Sequence, residues 1–138
     1  MKVLFHLKEH QEMIRNWITE KMKHSTSAEF PIEWIPDTGI IVTTDDDSRK
    51  LAAVVVYFER SSPVAYIGWI AANPENTLEE SANSIAFGIR CAINYSRTMG
   101  AKHLLTTSGN RRINQIFDRI GFLDGDQCVK HKYYYLGE

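Results

Sequence analysis

Two adjacent arginines, Arg111 and Arg112, fall in the first turn of a predicted helix, where a cation is unfavourable. The free amide groups of a helix's first turn carry partial positive charge, so a cation there costs about 0.3–1 kcal/mol. Guanidinium groups bind anions through several N–H donors at once. Either these arginines are solvated or paired with Asp124 or Asp126, or a bound anion offsets the cost. Because surface arginines usually need no ligand, their position alone does not establish an anion site.

A second helix start has the sequence Thr-Leu-Glu-Glu over residues 77–80, which is the form of a capping box. In that motif Thr77 accepts a bond from the Glu80 amide, and the Glu80 carboxylate turns back to the Thr77 amide. The carboxylates of Glu79 and Glu80 interact favourably with the helix dipole but repel a phosphate group. Residues 76–82 contain no glycine and no basic residue, so a self-capped helix is at least as well supported as a phosphate-binding turn.

Other kinds of chemistry are poorly supported. His6, Glu9 and His10 have the H-x-x-E-H spacing of some zinc proteases, but a predicted strand ends between the two histidines, so no metal site is expected. The formal net charge is -1, which gives no basic surface for nucleic acid. No apolar run approaches the ~20 residues of a membrane span. The start of the sequence lacks the pattern of a secretion signal, so a cytoplasmic protein with reduced cysteines is expected.

The hydrophobic pattern predicts one domain, residues 1–138, with the order β-α-β-β-β-α-β-α-β. The predicted strands are 2–7, 40–44, 51–60, 64–72, 102–107 and 127–136, and the helices are 8–23, about 78–99, and one from 111. The strand that contains 51–58 is apolar on both faces and is therefore central. Gly68 marks a possible bulge. The helix between the fourth and fifth strands predicts that these two are parallel.

The last helix is the best-defined element of the sequence. Asn110 is a good N-cap residue. Gly121 follows the last predicted helical residue, where a glycine in the left-handed conformation commonly ends a helix, and Phe122 can pack against the last turn. One apolar stripe runs along it at positions i, i+3, i+4 and i+7: Ile113, Ile116, Phe117 and Ile120.

This strand and helix resemble the signature of the GNAT acyltransferase superfamily. The matching residues are Asn110, Ile113, Phe117 and Gly121–Phe122, and Ile70, Ala72 and Pro74 match the family's fourth-strand end. Two features depart from the family. The family often has a tyrosine, which protonates the departing thiolate, where this chain has Phe117. The family also has glycines in the turn that corresponds to 76–82.

The resemblance implies an α/β fold of the GNAT-like acyl-CoA N-acyltransferase type, with a mixed, mostly antiparallel sheet, one parallel strand pair and flanking helices. It implies acyl transfer, expected to be acetyl transfer, from acetyl-CoA to an amine of a small molecule or a protein. The backbone of Ile70, Ala71 and Ala72 would hold the acyl carbonyl. The other residues expected along the coenzyme are Thr77, Ser81, Ala82, Asn110, Arg111, Arg112 and Phe117.

The acid and base of such a reaction are not specified by the resemblance. Glu59, near the end of the central strand, is the best-placed carboxylate for a base, and Ser108 or the tyrosines of 133–135 are candidate acids. The alternative function is a non-catalytic GNAT-like binding or assembly protein, of a kind that some phages encode. The missing tyrosine and glycines favour this alternative, whereas Asn110 and the strand end favour the enzyme. The oligomeric state stays open.

Overall fold

The computed structural model describes residues 1–5, 8–22, 30–126, 132 and 134–137, and within these ranges the chain forms five strands and three α-helices. The strands are β1 (Lys2–Phe5), β2 (Gly39–Thr43), β3 (Lys50–Phe58), β4 (Val64–Ala72) and β5 (His103–Thr106). The helices are α1 (Gln11–Met22), α2 (Leu78–Thr98) and α3 (Arg111–Ile120), with short 3-10 turns at Lys8–His10 and Ile32–Trp34.

The five strands form one sheet in the order β1-β2-β3-β4-β5. Neighbouring strands are antiparallel except for β4 and β5, which are parallel. The chain returns along α2 after β4 and enters β5 in the same direction, as a helical crossover requires. The mixed sheet with one parallel pair, predicted from the sequence, is therefore confirmed.

The sheet is covered on both faces, and β3 lies at its centre. Residues 51–56 of β3 are all buried. Val54 and Val56 pack in one apolar cluster with α2 and α3, whereas Ala53 and Val55 pack in a second cluster with α1. Fully burying a valine side chain contributes about 1.5–3 kcal/mol, so these alternating positions fix which helix covers which face.

Gly68 is the extra residue of a bulge in β4. Val55 pairs with Trp69 and Val56 pairs with Ile67, which leaves Gly68 without a partner in β3. The bulge reverses the alternation of the strand, so that Ile67 packs towards α2 and α3 while Trp69 packs towards α1. The bulge that the sequence predicts at this glycine is confirmed.

β4 and β5 separate beyond their last paired residues, Ile67 and Thr106. The Thr106 hydroxyl donates to the Ile67 carbonyl at 3.0 Å and closes the paired part of the two strands. β4 continues to Ala72, whereas β5 ends at Thr106, so the edge of residues 68–72 has no partner strand among the described residues. The pairing of the parallel strands therefore ends at these residues, which leaves a gap beside the rest of β4.

The helix caps agree with the sequence. The Thr77 hydroxyl accepts from the Glu80 amide at 3.1 Å, and Glu80 Oε1 accepts from the Thr77 amide at 2.9 Å. Asn110 Oδ1 accepts from the Ile113 amide at 3.1 Å at the start of α3. α3 ends at Gly121, whose φ of 112° is in the left-handed region. These local signals therefore fix where α2 and α3 begin and where α3 ends.

Some boundaries differ from the prediction. β3 ends at Phe58 rather than Arg60, because the Glu59 carboxylate accepts from both the amide and the hydroxyl of Ser61 and forms a turn. The predicted helix over 8–23 begins with a 3-10 turn before α1. Most of the predicted strand over 127–136 falls outside the described residues, and residues 134–136, which are described, are not in a strand. None of the described helices is both long and apolar enough to cross a membrane.

Candidate active site

A cavity of about 960 Å³ lies in the gap that opens between β4 and β5. Ile67, Gly68, Trp69 and Ile70 of β4 form one wall. The segment that leads from β5 into α3 forms the opposite wall, with residues 106–110 followed by Ile113 and Phe117. The cavity therefore lies at the carboxyl ends of a parallel strand pair, next to the N-terminus of α3.

One side of this cavity is aromatic and is held by a hydrogen-bonded group of rings. The Tyr57 hydroxyl donates to the Trp34 carbonyl, and the Trp69 indole N–H donates to the Tyr57 hydroxyl at 3.1 Å. Burial is the main cause of a raised pKa for Tyr57. A Cβ at Gly68 would lie 2.2 Å from Cε2 of Tyr57, so the close approach of this ring requires glycine.

Lys21 reaches the cavity from α1. Its ammonium donates to the carbonyl of Ile70 at 3.2 Å, on the part of β4 that β5 does not cover. Desolvation lowers the pKa of Lys21, since removing water disfavours the charged form. Lys21 therefore places an amine at the open strand edge, in the middle of the site.

A second cavity, of about 280 Å³, lies next to the first. Lys21, Ile70, Asn110 and Ile113 line both, so the two cavities are adjacent, and together they are called the groove. The further walls of the second cavity come from the end of β4 and the starts of α2 and α3, and they include Ala72, Pro74, Leu78, Ser81, Ala82 and Arg112. The groove thus runs from the open edge of β4 to two helix N-termini.

The start of α2 keeps limited capacity for an anion. The capping box uses the amides of Thr77 and Glu80, and the Ser81 amide donates to the Thr77 carbonyl. The amides of Leu78 and Glu79 have no acceptor among the described residues. Two backbone donors at a helix N-terminus, with the Arg112 guanidinium lining the same cavity, are suited to an anion.

The charge of Glu80 is balanced within the protein. Arg49 donates to Glu80 through Nη1 at 2.7 Å and to Asn76 Oδ1 through Nη2 at 2.8 Å. The Arg49 bond and the Thr77 amide lower the pKa of Glu80 to about 2. The sequence predicts that Glu80 repels phosphate, but this ion pair, which sequence spacing does not show, weakens that repulsion.

The structure brings together most of the residues that the resemblance implies. Ile70 and Asn110 line both cavities, Ser108 and Phe117 line the first, and Ala72, Ser81, Ala82 and Arg112 line the second. Three others do not line either cavity. Ala71 is buried towards α1, Thr77 is engaged in its capping box, and Arg111 is exposed outside the groove.

The structure does not place Glu59 in the groove. It follows the carboxyl end of β3, and its amide donates to the carbonyl of Val64, at the beginning of β4, whereas the groove lies beyond Ile67. Hydrogen bonds from Ser61 lower the pKa of the Glu59 carboxyl, as expected for a turn carboxylate. The position near the end of the central strand was correct, but it is the end away from the groove.

Sequence reasoning missed several residues of the groove: Lys21, Glu33, Trp34, Tyr57, Tyr66 and Trp69. A signal existed for Lys21, because it continues the apolar stripe of Ile14, Trp17 and Ile18 on α1. Glu33 and Trp34 lie in a segment without regular periodicity, and no pattern places it against β4. In the described ranges no group of three or more His, Cys, Asp or Glu side chains is placed to hold a metal ion.

Solved structures of acetyltransferases are similar to this chain over nearly its whole length. One described as a "probable acetyltransferase" matches with a TM-score of 0.74 at 14% identity, with 100% of each chain covered. Aminoglycoside N-acetyltransferase AAC(6')-Iy in complex with CoA matches with a TM-score of 0.66 at 16% identity, covering 96% of this chain and 93% of that one. Aminoglycoside acetyltransferase meta-AAC0020, from an uncultured soil metagenomic sample and in complex with sisomicin, matches with a TM-score of 0.66 at 12% identity. The match covers 99% of this chain and 96% of that one.

These likenesses show that the chain has the GNAT acetyltransferase fold, a mixed five-stranded sheet with flanking helices. No protein-family model matches the chain, and the search of curated proteins gives no match. At identities of 16% or less the likeness establishes the fold, so the function has to be argued from the residues of the groove.

Proposed function

We propose that the protein transfers an acyl group, expected to be acetyl, from acetyl-coenzyme A to an amine. The observation that carries the proposal is the groove from the open edge of β4 to the starts of α2 and α3. Acetyl-coenzyme A, when bound, supplies an acyl group that is activated as a thioester. The groove offers the unpaired strand edge for the pantetheine arm and two helix N-termini for the diphosphate.

The residues present fit the coenzyme, with a weak phosphate site. The amides of Leu78 and Glu79 and the Arg112 guanidinium would hold the diphosphate, while the Glu79 carboxylate opposes it. The absence of glycine from residues 76–82 limits how closely backbone can approach the phosphates. We therefore expect a dissociation constant nearer ~100 μM than ~1 μM, which is roughly 5.5 rather than 8 kcal/mol of binding.

Proton transfer is assigned to two groups that line the larger cavity. Glu33 is the carboxylate that lines it in the described part of the chain, and we assign it the proton of the incoming ammonium. Ser108 Oγ accepts from the Asn110 amide at 3.2 Å, which leaves the hydroxyl proton available for donation to a departing thiolate. Ser108, a candidate acid from the sequence, is therefore also the acid proposed here, whereas Glu33 replaces Glu59 as the proposed base.

Calorimetry with acetyl-coenzyme A tests the binding half of the proposal, and the two neighbouring arginines provide a matched pair. Arg112→Ala should weaken binding about tenfold, since a charge-assisted hydrogen bond is worth about 1.5–3 kcal/mol before screening. Arg111→Ala removes the same charge one residue away, outside the groove, and should change affinity less than about twofold. Wild-type protein that does not bind millimolar coenzyme, with both variants unchanged, contradicts the proposal.

Turnover tests the catalytic half. Thiol release from acetyl-coenzyme A would be followed over a set of amines, and Glu33→Gln should lower kcat by at least about tenfold, because general bases contribute about 10²–10⁴-fold. Glu59→Gln is the matched control and should leave the rate unchanged. Binding of the coenzyme without thiol release for any amine would favour the non-catalytic binding function, which Phe117 in the family's tyrosine position also favours.

A further inference from the structure

One side of the larger cavity is lined by aromatic side chains, Trp34, Tyr57 and Trp69. The rings of Trp34 and Trp69 are stacked with their centroids 6.3 Å apart and an interplanar angle of 22°. Phe30 packs edge-on against both rings, at 5.3 Å and 4.6 Å. The Tyr57 hydroxyl accepts from the indole N–H of Trp69 and donates to the backbone carbonyl of Trp34, which ties the Tyr57 and Trp69 side chains to the segment that carries Trp34.

The described residues of the larger cavity offer few negative charges to a polycation. Among the described lining residues, Glu33 is the single carboxylate, while Lys21 and Lys132 contribute two ammonium groups. One carboxylate can pair with one ligand ammonium. Each further positive charge on a ligand would be desolvated without a partner and repelled by the two lysines.

Together these features define the acceptor, and this inference rests on the acyl transfer proposed above. We propose that the acceptor amine is a primary monoamine carried on a flat apolar body, with its ring against Trp34 and Trp69 and its ammonium facing Glu33. An aromatic body can pack against these rings, and a single ammonium can pair with the Glu33 carboxylate. A polyamine or an aminoglycoside would meet one carboxylate among the described residues of this cavity, which leaves its other charges without a partner there.

The test measures amine binding without coenzyme, by tryptophan fluorescence and calorimetry, and turnover with acetyl-coenzyme A. The panel is 2-phenylethylamine and tryptamine, a cyclohexyl analogue of matched size, spermidine and sisomicin. The aromatic monoamines should bind at least about tenfold more tightly than spermidine or sisomicin, which is about 1.4 kcal/mol, and should have the higher kcat/KM. A preference for either polycation, no difference between the aromatic and cyclohexyl amines, or no amine binding overturns the inference.

Two variants test the wall itself. Trp34→Leu should reduce the affinity for the aromatic amines about fivefold to tenfold and leave the cyclohexyl analogue nearly unchanged. Phe5→Leu, at an exposed ring on the outer strand β1, is the control and should alter neither. Glu33→Gln preserves the rings and should weaken all the amines, which covers the case in which Trp34→Leu does not fold.

The binding arm separates this inference from the proposed function. Aromatic amines that bind with the stated preference, in a protein that does not transfer acetyl, would contradict the acyl transfer and support the ligand class. Acetyl transfer that favours sisomicin or spermidine would support the acyl transfer and overturn the ligand class.

Discussion

The ammonium of Lys21, on α1, lies 3.2 Å from the carbonyl oxygen of Ile70, on β4, which is 49 positions later in the chain. This contact occupies an acceptor on the strand edge that a coenzyme arm would otherwise meet. It also holds an amine whose pKa is lowered by desolvation beside the place proposed for the thioester. The reactivity of Lys21 should therefore respond to what enters the groove.

Lys21 should react with an amine-selective acylating reagent at lower pH in the folded protein than in the same chain unfolded in guanidinium. The reason is that a lowered pKa increases the unprotonated fraction of the amine at a given pH. Peptide mass spectrometry after brief labelling over a pH series gives both profiles. Saturating coenzyme should slow the labelling of Lys21. Coincident folded and unfolded profiles would contradict the desolvation of this ammonium.

Gly68→Ala should destabilise the protein by about 1–3 kcal/mol, the range for overpacking a well-packed site. The new Cβ would lie 2.2 Å from Cε2 of Tyr57, and moving that ring breaks its bonds to Trp34 and Trp69. Gly109→Ala, on the opposite wall of the cavity, meets nothing within 4 Å and should be close to neutral. Urea denaturation measures both. Equal effects of the two changes would show that the Tyr57 ring moves aside at no cost.

Glu80 makes the stability of the protein depend on acid pH. Its ordinary pKa of 4.5 is lowered to about 2 in the folded protein, mainly by Arg49. A carboxyl group with a lowered pKa contributes stability that is present above its ordinary value and lost as the pH falls through the folded value. Thermal unfolding between pH 4.5 and about 2 should therefore be less steeply pH-dependent in Glu80→Gln than in the wild type.

The neighbouring residue provides the control for this experiment. Glu79 occupies the same first turn of α2 but has no ion-pair partner among the described residues. Glu79→Gln should therefore keep the wild-type pH dependence. If both variants reduce the pH dependence of the unfolding temperature equally, the helix dipole, and not the ion pair with Arg49, accounts for that dependence.

The elements of this fold that follow local rules could be predicted from the sequence. The start of α3 at Asn110, its end at Gly121 and the capping box at Thr77 each depend on side chains within a few residues of one another. The parallel pair followed from one helical connection between β4 and β5. The bulge followed from a single glycine inside a strand pattern, although the sequence did not show that the Tyr57 ring is what requires it.

The aromatic wall and the charge balance of the groove could not be predicted in the same way. Arg49 and Glu80 are 31 positions apart in the sequence, and Trp34 and Tyr57 are 23 apart, so no local sequence pattern predicts either contact. Glu59 illustrates the limit: its position at the end of a central strand was read correctly, but which end of the strand borders the groove depends on where β4 and β5 separate. That separation is a property of the sheet as a whole.

Phe117→Tyr should raise the rate of thiol release at saturating acetyl-coenzyme A by at least about tenfold, since general acids contribute about 10²–10⁴-fold. Phe117 lines the larger cavity, and its ring packs against Phe122 with centroids 4.7 Å apart. Phe117→Tyr would add to this ring the hydroxyl that the resembling family often has at this position, as a second proton donor beside Ser108. Phe122→Tyr adds the same group to the other ring of this pair, which does not line the cavity, and should leave the rate unchanged. Calorimetry must show that coenzyme affinity is retained in both variants. With affinity retained, a rate unchanged by Phe117→Tyr would mean that protonation of the thiolate is not the limiting step, and that Ser108 or solvent already supplies that proton.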